Sequence, residues 1–164
     1  MLSTRRAAYG QNCVTLACFE VRDGLYAIDV SQLREVVRWE PATPLPNAPT
    51  LIEGVIDLRG TLVPVVDLGR ALGLGAVAAG PRARICVTEC DGLLMGLVVD
   101  AAVHVIPVEV ARLEDPPALA TQTGYDAARA VVRRPDAEPV VVLSVEHLLE
   151  RVHRSALSDE EAMK

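Results

Sequence analysis

At 164 residues the chain has room for one domain, or two small intimate ones, around a real core. With 51% hydrophobic and 23% charged residues it is globular, and its net charge of −6 argues against nucleic acid or an anionic membrane as main partner. Aromatic residues are only 3%, so the stacking platforms used on single strands are missing, and no apolar run approaches the roughly 18 residues that spanning a bilayer takes.

Residues 1–13 are polar and patternless and read as a flexible tail. Arg5-Arg6 faintly suggests a twin-arginine signal, but AAYGQNC follows without an apolar region, so a cytoplasmic protein is expected. Val14 to Val21 alternates as a strand, Asp23-Gly24 makes a hairpin turn, and Leu25 to Ile28 returns. Asp29 offers a cap to a short helical turn running through Leu33, and Glu35 to Trp39 resumes as a strand. Pro41 to Pro49 (PATPLPNAP) is proline-dense and must be an extended, stiffened loop.

That loop delivers the chain into Leu51 to Leu74, LIEGVIDLRGTLVPVVDLGRALGL, the stretch around which the rest is organised. Its dense β-branched runs favour a buried hairpin over a helix. Gly60 supplies the positive φ of a tight reversal at Arg59-Gly60-Thr61, which leaves Arg59 standing at the tip. Pro64 cannot donate to a ladder, so its strand is expected at an edge or with a bulge there. Asp67 caps a helical turn over Leu68 to Leu72, ended by Gly73 and Gly75.

Gly75 to Pro81 reads as a flexible connector and an internal boundary. A second set of strands follows: Arg84 to Glu89, a turn at Asp91-Gly92, Leu93 to Asp100, and Val103 to Pro107. Val110 to Ala128 reads as loop with a short strand or turn. Val131-Val132 and Val140 to Leu143 are the last strands, separated by Arg133-Arg134-Pro135-Asp136. Ser144 caps a terminal helix to about Val152 with Leu148 and Leu149 inward, and residues 155–164 read as a solvated tail.

Many short strands punctuated by Gly and Pro, with helices only at the edges, predict an all-β fold of barrels or sandwiches, and two small barrels sharing an interface fit the length. The single domain spans 14–152, with approximate subdomains 14–75 and 82–152 whose boundaries can interleave. Asp-Gly turns followed by a strand ending in Asp (Ile28-Asp29, Val99-Asp100) hint at an internal duplication.

No enzymatic motif survives inspection. Gly73-x-Gly75-x-x-Ala78 loosely fits a dinucleotide fingerprint, but it follows a short helix, and Pro81 forbids the helix that would carry a pyrophosphate. Asp57 and Asp67 read as turn and cap residues rather than a catalytic pair. Cys13, Cys18, Cys86 and Cys90 are spaced C-x4-C and C-x3-C, which points to buried, reduced thiols. His104, His147 and His153 are scattered without ligand spacing, the latter two facing solvent on the last helix. No cofactor is expected.

Several elements then carry a resemblance: Tyr26-Ala27-Ile28; Leu33-Arg34-Glu35-Val36; Ile52-x-Gly54-Val55-Ile56-x-Leu58-Arg59-Gly60; Val63-Pro64-Val65-Val66-Asp67-Leu68; and Gly96-Leu97-Val98-Val99-Asp100. In this order and spacing the chain resembles the CheW-like coupling proteins of bacterial chemosensory arrays from about Thr15 to Val152. The resemblance implies an all-β fold of two small five-stranded SH3-like barrels packed together, with short helices at the edges and a C-terminal helix, and a non-enzymatic adaptor without catalytic or metal residues. Its partners would be the tip of a chemoreceptor, the regulatory domain of a CheA-type histidine kinase and other CheW-like proteins in rings. It would be cytoplasmic and recruited to membrane-bound receptor arrays.

By the same resemblance Arg59 and Gly60 at the bend, with Glu35, form the partner-facing surface, flanked by Leu33 and Val36 as apolar contacts. Read alone, Arg59 is equally a solvated turn residue, and the plain alternative for Glu35 is an intramolecular salt bridge, for which Arg59 is one candidate partner. The chain departs from the family pattern at three places. Asp57 stands where Asn is common, Ala101-Ala102 is smaller than the usual Gly-Val, and Ala128 to Glu138 is an arginine-rich, longer excursion expected to be a solvated loop. Alternative readings are a scaffold for pili or another non-flagellar output, or a ligand- or metal-binding barrel using Cys86, Cys90 and a histidine.

Overall fold

The computed structural model of the chain describes residues 12–117 and 127–162. Most of the amino-terminal tail, and residues 118–126 of the expected loop, lie outside the described residues. Among the described residues eleven strands run in the order β1 (Cys13–Val21), β2 (Gly24–Asp29), β3 (Leu33–Arg38), β4 (Ile52–Leu58), β5 (Thr61–Asp67), β6 (Arg84–Cys90), β7 (Leu93–Val99), β8 (Ala101–Glu109), β9 (Leu113–Glu114), β10 (Ala128–Arg134) and β11 (Ala137–Leu143). Helix α1 (Leu68–Ala71) follows β5, and α2 (Val145–Ala162) closes the chain.

The strands form two sheets, β8-β1-β2-β11-β10-β9 and β3-β6-β7-β5-β4, the walls of two small SH3-like barrels packed together. The first has six strands rather than five because the two-residue β9 pairs with β10. Each sheet draws strands from both sides of the 75–82 connector, so the two units are interleaved along the chain. Each also holds one parallel pair, β2 with β11 and β5 with β7.

The continuous apolar runs have a direct cause. Side chains alternate across a strand, and the six-stranded sheet is covered on both faces. Val14, Leu16 and Cys18 of β1, Leu25 and Ala27 of β2, and Val140 and Val142 of β11 point into that sheet's own core. Ala17, Phe19, Val21, Tyr26, Ile28 and Leu143 point the other way, into a core shared with Ile56, Val63, Val65, Ile85 and Leu97 of the second sheet. Leu148 and Val152 of α2 cap that shared core.

Capping follows the sequence. Asp29 accepts from the Ser31 N–H at 2.9 Å and starts a 3-10 turn, Val30–Gln32. Buried Asp67 accepts from Arg70 N–H at 3.1 Å and from Val77 N–H at 3.0 Å. Ser144 Oγ accepts from His147 N–H at 3.3 Å at the start of α2.

Five local expectations are corrected. Pro64 lies in an interior strand without a bulge of its own: β5 pairs with β4 through Pro64, and the ladder to β7 begins only at Val65, so the missing N–H costs nothing. The first hairpin turns at Arg22-Asp23, with Gly24 already paired to Val21. The 75–81 connector is pinned, since Val77 is buried on Asp67, and Asp100 accepts from Ala78 N–H at 3.1 Å. Helix α2 continues to Ala162, because Ala156 to Ala162 contains no Gly or Pro to stop it.

The fifth correction concerns Ala128 to Glu138. Rather than a long excursion, β10 and β11 form a tight hairpin with Arg134 paired to Ala137 across Pro135-Asp136. Proline presets the first turn position, and Asp136 takes the second at φ 58°. Arg133 pairs with Glu114 at 2.9 Å, and Arg134 donates to the Glu138 carbonyl at 3.0 Å.

Candidate partner-binding surface

Strands β3 and β4 are the two edges of the five-stranded sheet, and the loop after β3 bridges to β4. Thr43, in the proline-rich loop after β3, exchanges two backbone hydrogen bonds of 2.9 Å with Val55 of β4. The loop therefore closes the gap between the sheet's two edges. Gly54 makes the closure possible: a Cβ there would lie 2.2 Å from the Thr43 carbonyl oxygen. The register slips between Ile52 and Gly54, a bulge that bends β4 toward the loop.

The β4–β5 turn has positive φ at both central residues, Arg59 (51°) and Gly60 (88°), the type I′ geometry that suits a two-residue hairpin. Asp57 Oδ1 accepts from the Gly60 N–H at 2.7 Å, which ties the turn to β4. The turn holds Arg59 out, with 74% of its side chain exposed.

Arg59 reaches across the closing seam to Glu35 of β3. Its guanidinium forks onto the carboxylate, with Nη1 donating to Oε2 at 3.2 Å and Nη2 to Oε1. This pairing holds the Glu35 carboxyl below its ordinary range and the Arg59 guanidinium above its own. The salt-bridge reading of Glu35 is thus realised, and two of the five guanidinium N–H groups are engaged by it. Arg34 pairs with Glu89 beside it.

Below the pair lies an open depression of about 150 Å³ lined by Arg34, Glu35, Leu58, Arg59, Thr61, Val87 and Leu94. Each of the five strands contributes a residue, so the depression is the mouth of the barrel. Arg59 and Glu35 come together there, whereas Gly60, Leu33 and Val36 do not line it. Leu33 packs partly against the shared core, and Val36 is 42% exposed on the outer part of β3. Sequence reasoning missed Arg34, Leu58, Thr61, Val87 and Leu94. Their convergence depends on the pairing of β3 with β6 and of β5 with β7, which no local pattern encodes.

The other candidates are placed elsewhere. Cys18, Cys86 and Cys90 are buried, and burial pushes the Cys86 thiol up to about 12, which favours the neutral packed form. His104, His147 and His153 are exposed, and among the described residues no group of three His, Cys, Asp or Glu side chains is arranged to hold a metal. No helix among the described residues is long and apolar enough to cross a membrane.

The chain also matches known proteins. Residues 15–153 match the family model of the CheW-like domain. The chemotaxis protein CheW of Rhizobium meliloti (strain 1021) is 34% identical over 117 residues, covering 71% of this chain and 76% of that protein. Protein FrzA of Myxococcus xanthus is 30% identical over 141 residues, covering 86% and 88%. Among solved structures, the scaffolding protein TtCheW from Thermoanaerobacter tengcongensis superposes with a TM-score of 0.74 at 30% identity, covering 82% of this chain and 86% of that one. The chain therefore belongs to the CheW-like domain family of non-enzymatic chemotaxis scaffolds.

Proposed function

We propose that this chemotaxis scaffold couples the cytoplasmic tip of a chemoreceptor to the regulatory domain of a CheA-type histidine kinase, and joins other CheW-like proteins in rings at membrane-bound arrays. The observation that carries the reading is the barrel mouth: an exposed guanidinium held at a fixed angle over a small apolar floor of Leu58, Val87 and Leu94. A partner helix or loop can set an apolar side chain on that floor and an acceptor on Arg59. The charges then fix register and steer encounter, while the apolar contact supplies most of the affinity. Val36, exposed beside the mouth, widens the apolar surface, and Leu33 supports it from below.

The internal pair with Glu35 fits this role. It holds the guanidinium in place before a partner arrives, so less side-chain freedom is lost on binding. The test is to mix the purified chain with a kinase regulatory-domain fragment and a receptor-tip fragment and measure each affinity by calorimetry. Saturable binding to both, with a ternary complex in gel filtration, is the expected result. Binding to neither fragment overturns the proposal.

A further inference from the structure

At the end of the same barrel away from Arg59, the strand register sets Arg38 of β3 directly opposite Arg84 of β6. Like charges facing each other across strands are destabilising, so the arrangement calls for something to offset it. Arg84 is half-buried and donates to the carbonyls of Pro81 at 3.0 Å and Ala83 at 2.9 Å, which anchors the guanidinium without neutralising it. Arg38 is exposed, and no described residue gives it a hydrogen bond or an ion pair. Arg34, Arg59, Arg70, Arg82 and Arg133 behave differently, each forming an ion pair with a Glu.

The two arginines line an open depression of about 470 Å³ together with Trp39, Gly80 and Pro81. Trp39 is the only tryptophan of the chain and is half-buried there, so an apolar ring stands beside two cations. Among the described residues no carboxylate lines the depression; Glu40, next in the chain, is exposed and is not part of its wall. Guanidinium forks match carboxylates in shape as well as charge. A molecule with net charge −6 repels extended polyanions such as nucleic acid or an anionic membrane. A short acidic segment is held by the local field before the repulsion accumulates.

We propose that this arginine-lined depression docks an acidic peptide segment of a partner protein, its carboxylates bridging Arg38 and Arg84 while the chain lies against Trp39. The surface is separate from the Arg59 mouth, so the inference does not rest on the function proposed above. Trp39, as sole tryptophan, is its own reporter. The full-length chain is titrated with a fluorescein-labelled hexaglutamate peptide, following Trp39 emission and peptide anisotropy together.

Both signals should saturate, weaken as salt is raised, and shift by roughly tenfold or more in affinity in Arg38→Glu. Arg59→Ala should bind the peptide like the parent. A folded Arg38→Glu variant, checked by circular dichroism, that binds unchanged overturns the proposal, as does equal binding of hexaglutamine. Inorganic phosphate alone that reproduces the emission change at the same concentration overturns the peptide assignment in favour of a small-anion site. Arg38-dependent self-association in sedimentation overturns it in favour of a second copy.

Discussion

The two barrels are built from the same kind of strand but filled differently. The six-stranded sheet encloses Val14, Leu16, Cys18, Leu25, Ala27, Val108, Ala130, Val132, Val140 and Val142, short side chains without an aromatic ring. The five-stranded sheet has no comparably separate filling. Its core runs on through the junction and takes in Phe19 and Tyr26 from the other sheet and Leu148 and Val152 from α2. The sole phenylalanine of the chain is thus placed where both barrels touch it. The difference teaches that the mouth bearing Arg59 rests on the larger, shared core, while the six-stranded barrel holds a smaller store of apolar contact.

The largest effect expected from this contrast is at the junction. Phe19→Ala should destabilise the chain by about 3–5 kcal/mol. It should also loosen both barrels at once, whereas Val132→Ala in the smaller core should cost about 1.5–3 kcal/mol. Urea unfolding followed by both Trp39 emission and far-ultraviolet circular dichroism measures each. If Phe19→Ala left the Trp39 transition at the parent midpoint, the shared core would not be shared.

Next in size is the seam that closes the five-stranded barrel. A Cβ at Gly54 meets a backbone carbonyl at 2.2 Å, so Gly54→Ala must push the Thr43 segment away and should cost about 1–3 kcal/mol. Gly60 has open space around it but φ of 88°, so Gly60→Ala should cost only about 1–2 kcal/mol of backbone strain. Thermal melts that rank the two in the reverse order contradict the account of closure.

Two buried thiols sharpen the comparison without any mutation. Burial raises the pKa of both Cys18, in the smaller core, and Cys86, in the shared one. Each must be uncovered before a thiol reagent can reach it. Under mild denaturant Cys18 should be alkylated before Cys86, read by peptide mass mapping at successive times; the opposite order would break the contrast between the cores.

The smallest effect is electrostatic. The hydrogen bonds from Arg59 hold Glu35 below the ordinary carboxylate range in the folded state. The pair's contribution is therefore present above the unfolded carboxyl pKa and is lost as pH falls through the lowered folded value. Carboxyl-carbon NMR should show Glu35 titrating at lower pH than Glu35 in Arg59→Ala. Equal midpoints would show that the fork does not persist in solution.

Much of this fold was legible in the chain because its causes are local. Alternation marks VTLACFEV and LYAI as strands, Asp29 and Asp67 announce caps, and Gly60 after Arg59 announces a turn with its tip exposed. What stayed hidden depends on partners far along the chain. The even and odd residues of β1 face two different cores, a fact set by what packs on each face of the sheet and invisible in the apolar run itself. The interior place of Pro64 depends on where the β7 ladder begins. The Arg133-Arg134 segment reads as a loop by charge, but Pro135-Asp136 turns it tightly.

The site divides the same way. Arg59, Gly60 and Glu35 could be named from the motif, and the structure joins Arg59 to Glu35 across the seam. The floor of Leu58, Val87 and Leu94 could not, since only the closed barrel brings those strands together.

The most direct measurement of the central claim is the affinity of Arg59→Ala for the kinase regulatory fragment, set beside the parent chain and with folding confirmed by its melt. The account predicts an unchanged fold and binding weakened by roughly tenfold or more, in keeping with loss of an arginine at the centre of an interface. A folded variant that binds the kinase fragment with the parent's affinity would contradict it.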